Sequence, residues 1–153
     1  MNWFQELITN PFLITGISSW LIAQVLKTII HAVINRKLDF GRLMGDGGMP
    51  SGHSATVTSL MVMTGLQLGT GSFEFAIAFL LATIVCHDAM GVRLETGKQA
   101  VLLNELVEAF EIFASKDLPE VKLKEFVGHT PIQVFAGVLL GAVNAVVING
   151  LLG

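Results

Sequence analysis

The sequence predicts an all-α integral membrane bundle of about four transmembrane helices, with one interfacial amphipathic helix added. Three observations carry this. Hydrophobic residues make up 52% of the 153 residues and charged residues 14%, where an average soluble domain carries roughly 25% charged. The mean hydropathy is +0.68. The apolar residues fall in long runs, not in the alternating pattern of a membrane barrel. The length suits a single domain, residues 1–153. Too little charge is present to cover a water-soluble enzyme. A net charge of −3 with no basic run argues against nucleic acid as a partner. The single cysteine, Cys86, has no internal disulfide partner.

A helix crossing the hydrocarbon core needs about 20 mostly apolar residues. The first span covers about 12–34. It follows Asn10-Pro11, a helix-start signal, and ends at Asn35-Arg36-Lys37. It is too long, and too poor in N-terminal basic residues, for a signal peptide. The second span covers about 51–69, its apolar run reaching only from about Ser54 to Leu68. The third covers 73–90, and the fourth runs from Pro131 to Leu152, 131–152. Between the last two lies the only polar stretch, 91–128. Within it, Gln99 to Ser115 reads as an amphipathic helix at the membrane interface. Leu102, Leu103, Leu106, Val107, Phe110 and Phe113 form its apolar stripe, and Glu105, Glu108 and Glu111 its polar side.

Gly65 and Gly69 form a GxxxG pair in the second span, and Gly137 and Gly141 in the fourth. Such pairs let helix backbones approach closely in lipid. Packing within the bundle is the first reading of these faces, and a homo-oligomer the second.

The nine basic residues all lie between Lys27 and Lys124. With four spans, the 35–50 loop and the 91–128 segment share one side, and the positive-inside rule makes that side cytoplasmic. The expectation is a multi-pass protein of a bacterial cytoplasmic membrane with both termini outside.

A lysine near the centre of a span costs about 2.5–3.5 kcal/mol on insertion scales. Lys27 is spaced i+3 from Gln24, and His31 stands at i+7, so the three share one helix face. Either that stripe faces a wet cavity, or Lys27 snorkels to the cytoplasmic interface. The sharpest local motif is Gly47-Gly48-Met49-Pro50-Ser51-Gly52-His53-Ser54. Its glycines admit close backbone approach, and Pro50 and Ser51 suit a helix start. A helix N-terminus there aims free N–H groups and a positive dipole end at an anion such as phosphate, with His53 beside it as a proton donor. Asp88 and Arg93 close the third span, either as a buried ion pair or as site groups. His129 precedes the last span on the same side as His53. By topology Lys27, Arg42, His53, Asp88, Arg93 and His129 can meet at one face. Two histidines, several cations and a helix N-terminus suit phosphoryl transfer through a phosphohistidine.

Pro50-Ser51-Gly52-His53 matches the PSGH signature of the type-2 phosphatidic acid phosphatase and vanadium haloperoxidase superfamily. The stretch from His129 to Gly137 resembles that superfamily's third motif. With Asp88 to Arg93 between them, residues from about 20 to 150 resemble its divergent bacterial and plant branch, the acid phosphatase/haloperoxidase-related membrane proteins. The resemblance implies that His129 is the nucleophile that attacks phosphorus and that His53 protonates the leaving oxygen. It implies phosphate binding by Ser51 and Gly52, and matches Lys27 to the first-motif lysine. Three positions depart from the pattern. Ile34 stands where the first motif has Arg-Pro, Leu123 where the third has Arg, and Gln133 where the third has the Asp that orients its histidine.

Two functions follow. One is a membrane phosphatase hydrolysing a lipid phosphate or diphosphate. The other is a non-enzymatic binder or transporter of a phosphorylated lipid. Retention of both histidines favours the first, and Gln133 with Leu123 favours the second. A metal site from His53, His87, Asp88 and His129 matches no standard ligand spacing. Haloperoxidase chemistry needs a fuller set of cations around vanadate, so no cofactor is expected.

Overall fold

The computed structural model describes residues 2–36, 47–114 (backbone alone for 111–114), 123 and 128–152. Arg42 lies outside them. Among the described residues all regular structure is helical: α1 Trp3–Ile8, α2 Pro11–Asn35, α3 Gly52–Leu68, α4 Phe73–Met90, α5 Val92–Ala114 and α6 Pro131–Leu152.

Local chemistry sets the helix starts. In α1, Asn2 Oδ1 accepts from Gln5 N at 2.9 Å while Asn2 N donates to Gln5 Oε1, a reciprocal capping box. In α2, Asn10 Oδ1 accepts from Phe12 N and Leu13 N, and Pro11 takes the first helical position. Ser51 caps α3 and Ser72 caps α4 through their hydroxyls.

Three helical stretches are long and apolar enough to cross a membrane: Pro11–Asn35, Phe73–Phe110 and Pro131–Leu152. The remaining span of the expected set, α3, has only 17 residues and is rich in Ser, Thr and Gly. It forms the centre of the bundle, packed against α2, α4 and α6. Specific contacts fix the directions. Ser59 Oγ donates to Thr15 O, and Trp20 packs on Gly52, so α2 and α3 are antiparallel. Gly137 meets Ser51, and Gln67 Nε2 donates to Asn149 Oδ1 at 2.6 Å, so α3 and α6 are parallel. The hairpin at 69–72 brings Phe75 onto Gly65 and makes α4 antiparallel to α3. The N-termini of α3 and α6 and the C-termini of α2 and α4 therefore share one end.

The α3–α6 seam depends on Gly137 and Gly141. A Cβ at Gly137 would stand 2.5 Å from Ser51 O, and one at Gly141 would stand closer still to Ala55 O. That GxxxG face is filled by α3 of the same chain. The other pair does not form such a face, because Gly69 caps α3 at φ 83°.

The interior is small and polar, and the exterior large and apolar. Thr15, Ser19, Ser54, Ser59 and Asn144 are buried, whereas Ile17, Leu21, Ile84 and Val143 point outward. Asn144 Nδ2 donates to Ser19 Oγ at 2.8 Å, Ser18 Oγ at 2.9 Å and Thr15 O at 3.3 Å, tying α6 to α2. Large apolar residues outside and hydrogen-bonded polar ones inside are what a lipid surround selects.

The polar segment differs from expectation. Its helix begins at Val92, seven residues before Gln99. Gly91 interrupts α4 for one residue only, because Glu95 N donates to Gly91 O at 3.1 Å and restarts the ladder. Leu102, Leu103, Leu106, Val107 and Phe110 are exposed on α5. Asn104 holds both backbone groups of Leu123 at 3.1 Å, so the chain returns beside α5. Gly128, at φ 92°, then abuts the Arg93–Leu94 backbone, where a side chain has no room.

Candidate functional site

The shared end of the bundle begins with the turn before α3. Gly47 and Gly48 have φ of 83° and 89°, values that favour glycine. A Cβ at Gly48 would stand 3.1 Å from Lys27 Cγ, so the lysine stem lies across this turn. Lys27 is 5% exposed. Its burial and the contact of its stem with Gly48 set it beneath the Gly47–Ser51 turn. One turn earlier, Gln24 is 6% exposed, and its Oε1 has no hydrogen-bond partner among the described residues. That atom would lie 3.9 Å from a Cβ on Gly52, so the amide faces the start of α3. His31, one turn later, also buries a ring nitrogen, Nδ1, with no hydrogen-bond partner among the described residues.

Gly52 is bare for a reason. A Cβ there would sit 3.3 Å from Trp20 Cδ1, so glycine lets α2 close on the helix start. Ser51 is fully buried, and its Oγ accepts from Ser54 N at 3.3 Å and Ser54 Oγ at 3.0 Å. Its hydroxyl is thus engaged as a helix cap.

His53 follows on the exposed side of α3's first turn. Its ring centroid lies 6.2 Å from that of His129, with the planes tilted by 60°. His129 is 3% exposed. Three contacts hold its region. His129 N donates to Ala89 O at 3.0 Å and Ser51 N donates to Gln133 O at 3.0 Å, which joins α4, α3 and α6 at this end. His129 Nδ1 lies 3.3 Å from Gln133 Oε1.

Asp88 and Arg93 do form an ion pair, Arg93 Nε to Asp88 Oδ2 at 2.7 Å. It is not the buried pair of the sequence reading: the side chains are 41% and 48% exposed, because the pair bridges the outer side of the Gly91 break. Such an exposed pair contributes about 0–1 kcal/mol. The four-residue metal reading also fails, since no cluster of three His, Cys, Asp or Glu groups exists among the described residues.

The arrangement thus brings together Lys27, Gln24, His53, His129 and two helix N-termini. Backbone N–H groups at such termini and a buried ammonium favour an anion. Sequence reasoning missed two contributors. Gln24 was noted only as part of a stripe, and Ala89 contributes through its backbone alone, which no side-chain pattern signals.

Comparison with known proteins bears on the family of the chain. A family model described as the divergent PAP2 family matches residues 8–144. The uncharacterized membrane protein YuiD of Bacillus subtilis (strain 168) is 41% identical over 152 residues, covering 94% of this chain and 96% of that protein. No solved structure matches. The family match takes in the α3 start, His53 and His129, helices α2 to α5 and α6 as far as Asn144, and so this membrane protein belongs to the divergent PAP2 family.

Proposed function

We propose that the chain is a membrane phosphatase that cleaves a lipid phosphate or diphosphate through a phosphohistidine. The carrying observation is the pair His53 and His129, 6.2 Å apart between ring centroids, beside the α3 N-terminus and the buried Lys27. That spacing accommodates one phosphoryl group between two imidazoles.

His129 Nε2 attacks phosphorus and forms a P–N bond as the P–O bond to the lipid breaks. The leaving oxygen takes its proton from His53. Water, giving a proton back to His53, then displaces phosphate from His129. Lys27 and the N–H groups of α3 offset charge on the phosphoryl oxygens. The site faces the cytoplasm, as the placement of the basic residues suggests.

One residue favours a second reading. Gln133 carries no charge to stabilise an imidazolium, so a protein that binds or moves a phosphorylated lipid without turnover also fits. Phosphate release from a panel of lipid phosphates and diphosphates by purified protein in detergent separates the two. Release that is lost in His129→Ala supports the phosphatase. Binding without release supports the carrier.

A further inference from the structure

A groove runs the length of α3 on the membrane side of the bundle. No residue of α2 comes within 8 Å of α4, Cα to Cα, although both pack on α3. The gap between them is floored by α3 side chains, His53, Thr56, Val57, Leu60, Thr64 and Leu68. These positions share one helix face. Two cavities lie along it. One of about 360 Å³ is walled by Trp20 on α2 and Val85 on α4, and has His53 at its polar end. The other, of about 310 Å³, lies towards the 69–72 turn, between Phe12 and Leu81. Both are of ligand-pocket size and almost wholly apolar. From His53 to Leu68 the floor is about 22 Å long.

Building on the phosphorylated-lipid reading of the site, we infer that this α2–α3–α4 groove holds the hydrocarbon tail of the ligand, and that the ligand is a single-chain lipid phosphate. Three features select that occupant. His53 belongs both to the groove and to the histidine pair, so a phosphate at the pair has its tail directed into the groove. The groove runs along the helix axis, the direction a lipid tail takes when its headgroup stays at the interface. It is one helix face wide, which suits one chain and leaves a second chain in bulk lipid. A helix of a second copy, at about 10 Å across, is the competing occupant.

Trp20 supplies the test, because the only other tryptophan, Trp3, lies in α1 and is 73% exposed. The protein is Trp3→Phe in detergent. The probe is a single-chain alkyl phosphonate brominated along its chain, which resists hydrolysis. The expected result is saturable quenching of Trp20, reversed by the unbrominated phosphonate. A brominated alcohol of the same chain and a two-chain brominated phosphonate should quench at least tenfold more weakly. Val57→Phe and Val85→Phe, on floor and wall, should each raise the quenching midpoint about tenfold, and either one suffices if the other does not fold. Equal quenching by the alcohol overturns the link between tail and anion. Equal quenching by the two-chain lipid overturns the single-chain assignment. A dimer whose Trp20 no brominated lipid reaches assigns the groove to a second copy. Thermal stabilisation by inorganic phosphate is measured in parallel. If it is present while quenching fails, only the groove assignment falls. If it is absent, the anion site itself falls.

Discussion

Gln133 Oε1 sits 3.3 Å from His129 Nδ1 and also accepts the Thr130 backbone N–H at 3.1 Å. A backbone N–H cannot accept, so this second bond fixes the oxygen end of the amide towards His129. With the ring neutral and that contact a hydrogen bond, Nδ1 is the donor and Nε2 carries the lone pair, the tautomer the proposed nucleophile needs. Gln133 thus sets the tautomer as an aspartate would, but adds no charge.

The first prediction follows from that difference. His129→Ala should abolish phosphate release. Gln133→Asp should raise turnover, because a carboxylate also stabilises the imidazolium as it forms. His53→Ala should slow alkyl phosphates by roughly 10²–10⁴-fold and aryl phosphates much less, since an aryl oxide needs little protonation. Full activity in His129→Ala would exclude the phosphohistidine route.

Phosphate or vanadate should raise the melting temperature of the purified protein. A ligand at a hundred times its Kd adds about 2.7 kcal/mol to the folded state. Lys27→Met should lose much of that shift, because the lysine stem is packed under the Gly48 turn. An undiminished shift in Lys27→Met would remove Lys27 from the anion site.

Orientation is checked by labelling a Cys86→Ser background. Asn2→Cys and Gly71→Cys lie at the end of the bundle away from the histidines and should react with impermeant maleimide outside intact cells. Lys98→Cys, exposed on α5, should react only after lysis. Labelling of Lys98→Cys from outside would put the site on the other face of the membrane.

Asn144→Leu should destabilise the bundle by about 1–2 kcal/mol, since interhelical hydrogen bonds in membranes average about 0.6 kcal/mol and reach about 1.7. Gly141→Leu should do more harm, as its side chain collides with the Ala55 carbonyl and forces α3 and α6 apart. Unfolding curves in mixed micelles measure both. Equal stability of Gly141→Leu and wild type would refute the close α3–α6 seam.

Much of the bundle was legible because its signals are local. Asn10-Pro11 and Ser51 announce their helices, and the apolar runs give α2, α4 and α6 their lengths. The Asn2–Gln5 capping box of α1 is an equally local signal, but it lies outside the long apolar runs. The start of α5 was misplaced because Gly91 and the charged residues after it read as a loop, whereas a single N–H to carbonyl bond across Gly91 suffices to continue the helix. Topology alone put His53 and His129 at one end. Their spacing, the burial of Lys27 under Gly48 and the tie from Asn144 to Thr15, 129 residues apart, are long-range packing facts that no pattern along the chain encodes.

The hydroxyl-rich α3 has a consequence for biogenesis. A segment with so many Ser, Thr and Gly residues gains little from lipid and partitions poorly on its own. Its hydroxyls bond back to its own carbonyls, with Ser59 also reaching Thr15 O of α2, α6 packs closely on it, and its turn to α4 is only 69–72. Integration of α3 is therefore expected to depend on its more apolar neighbours, first on α4 across that short turn. Of the six helices among the described residues, α6 is translated last. His129 and the second helix N-terminus reach His53 only then, so a nascent chain stalled before residue 129 has a membrane anchor but lacks the proposed site.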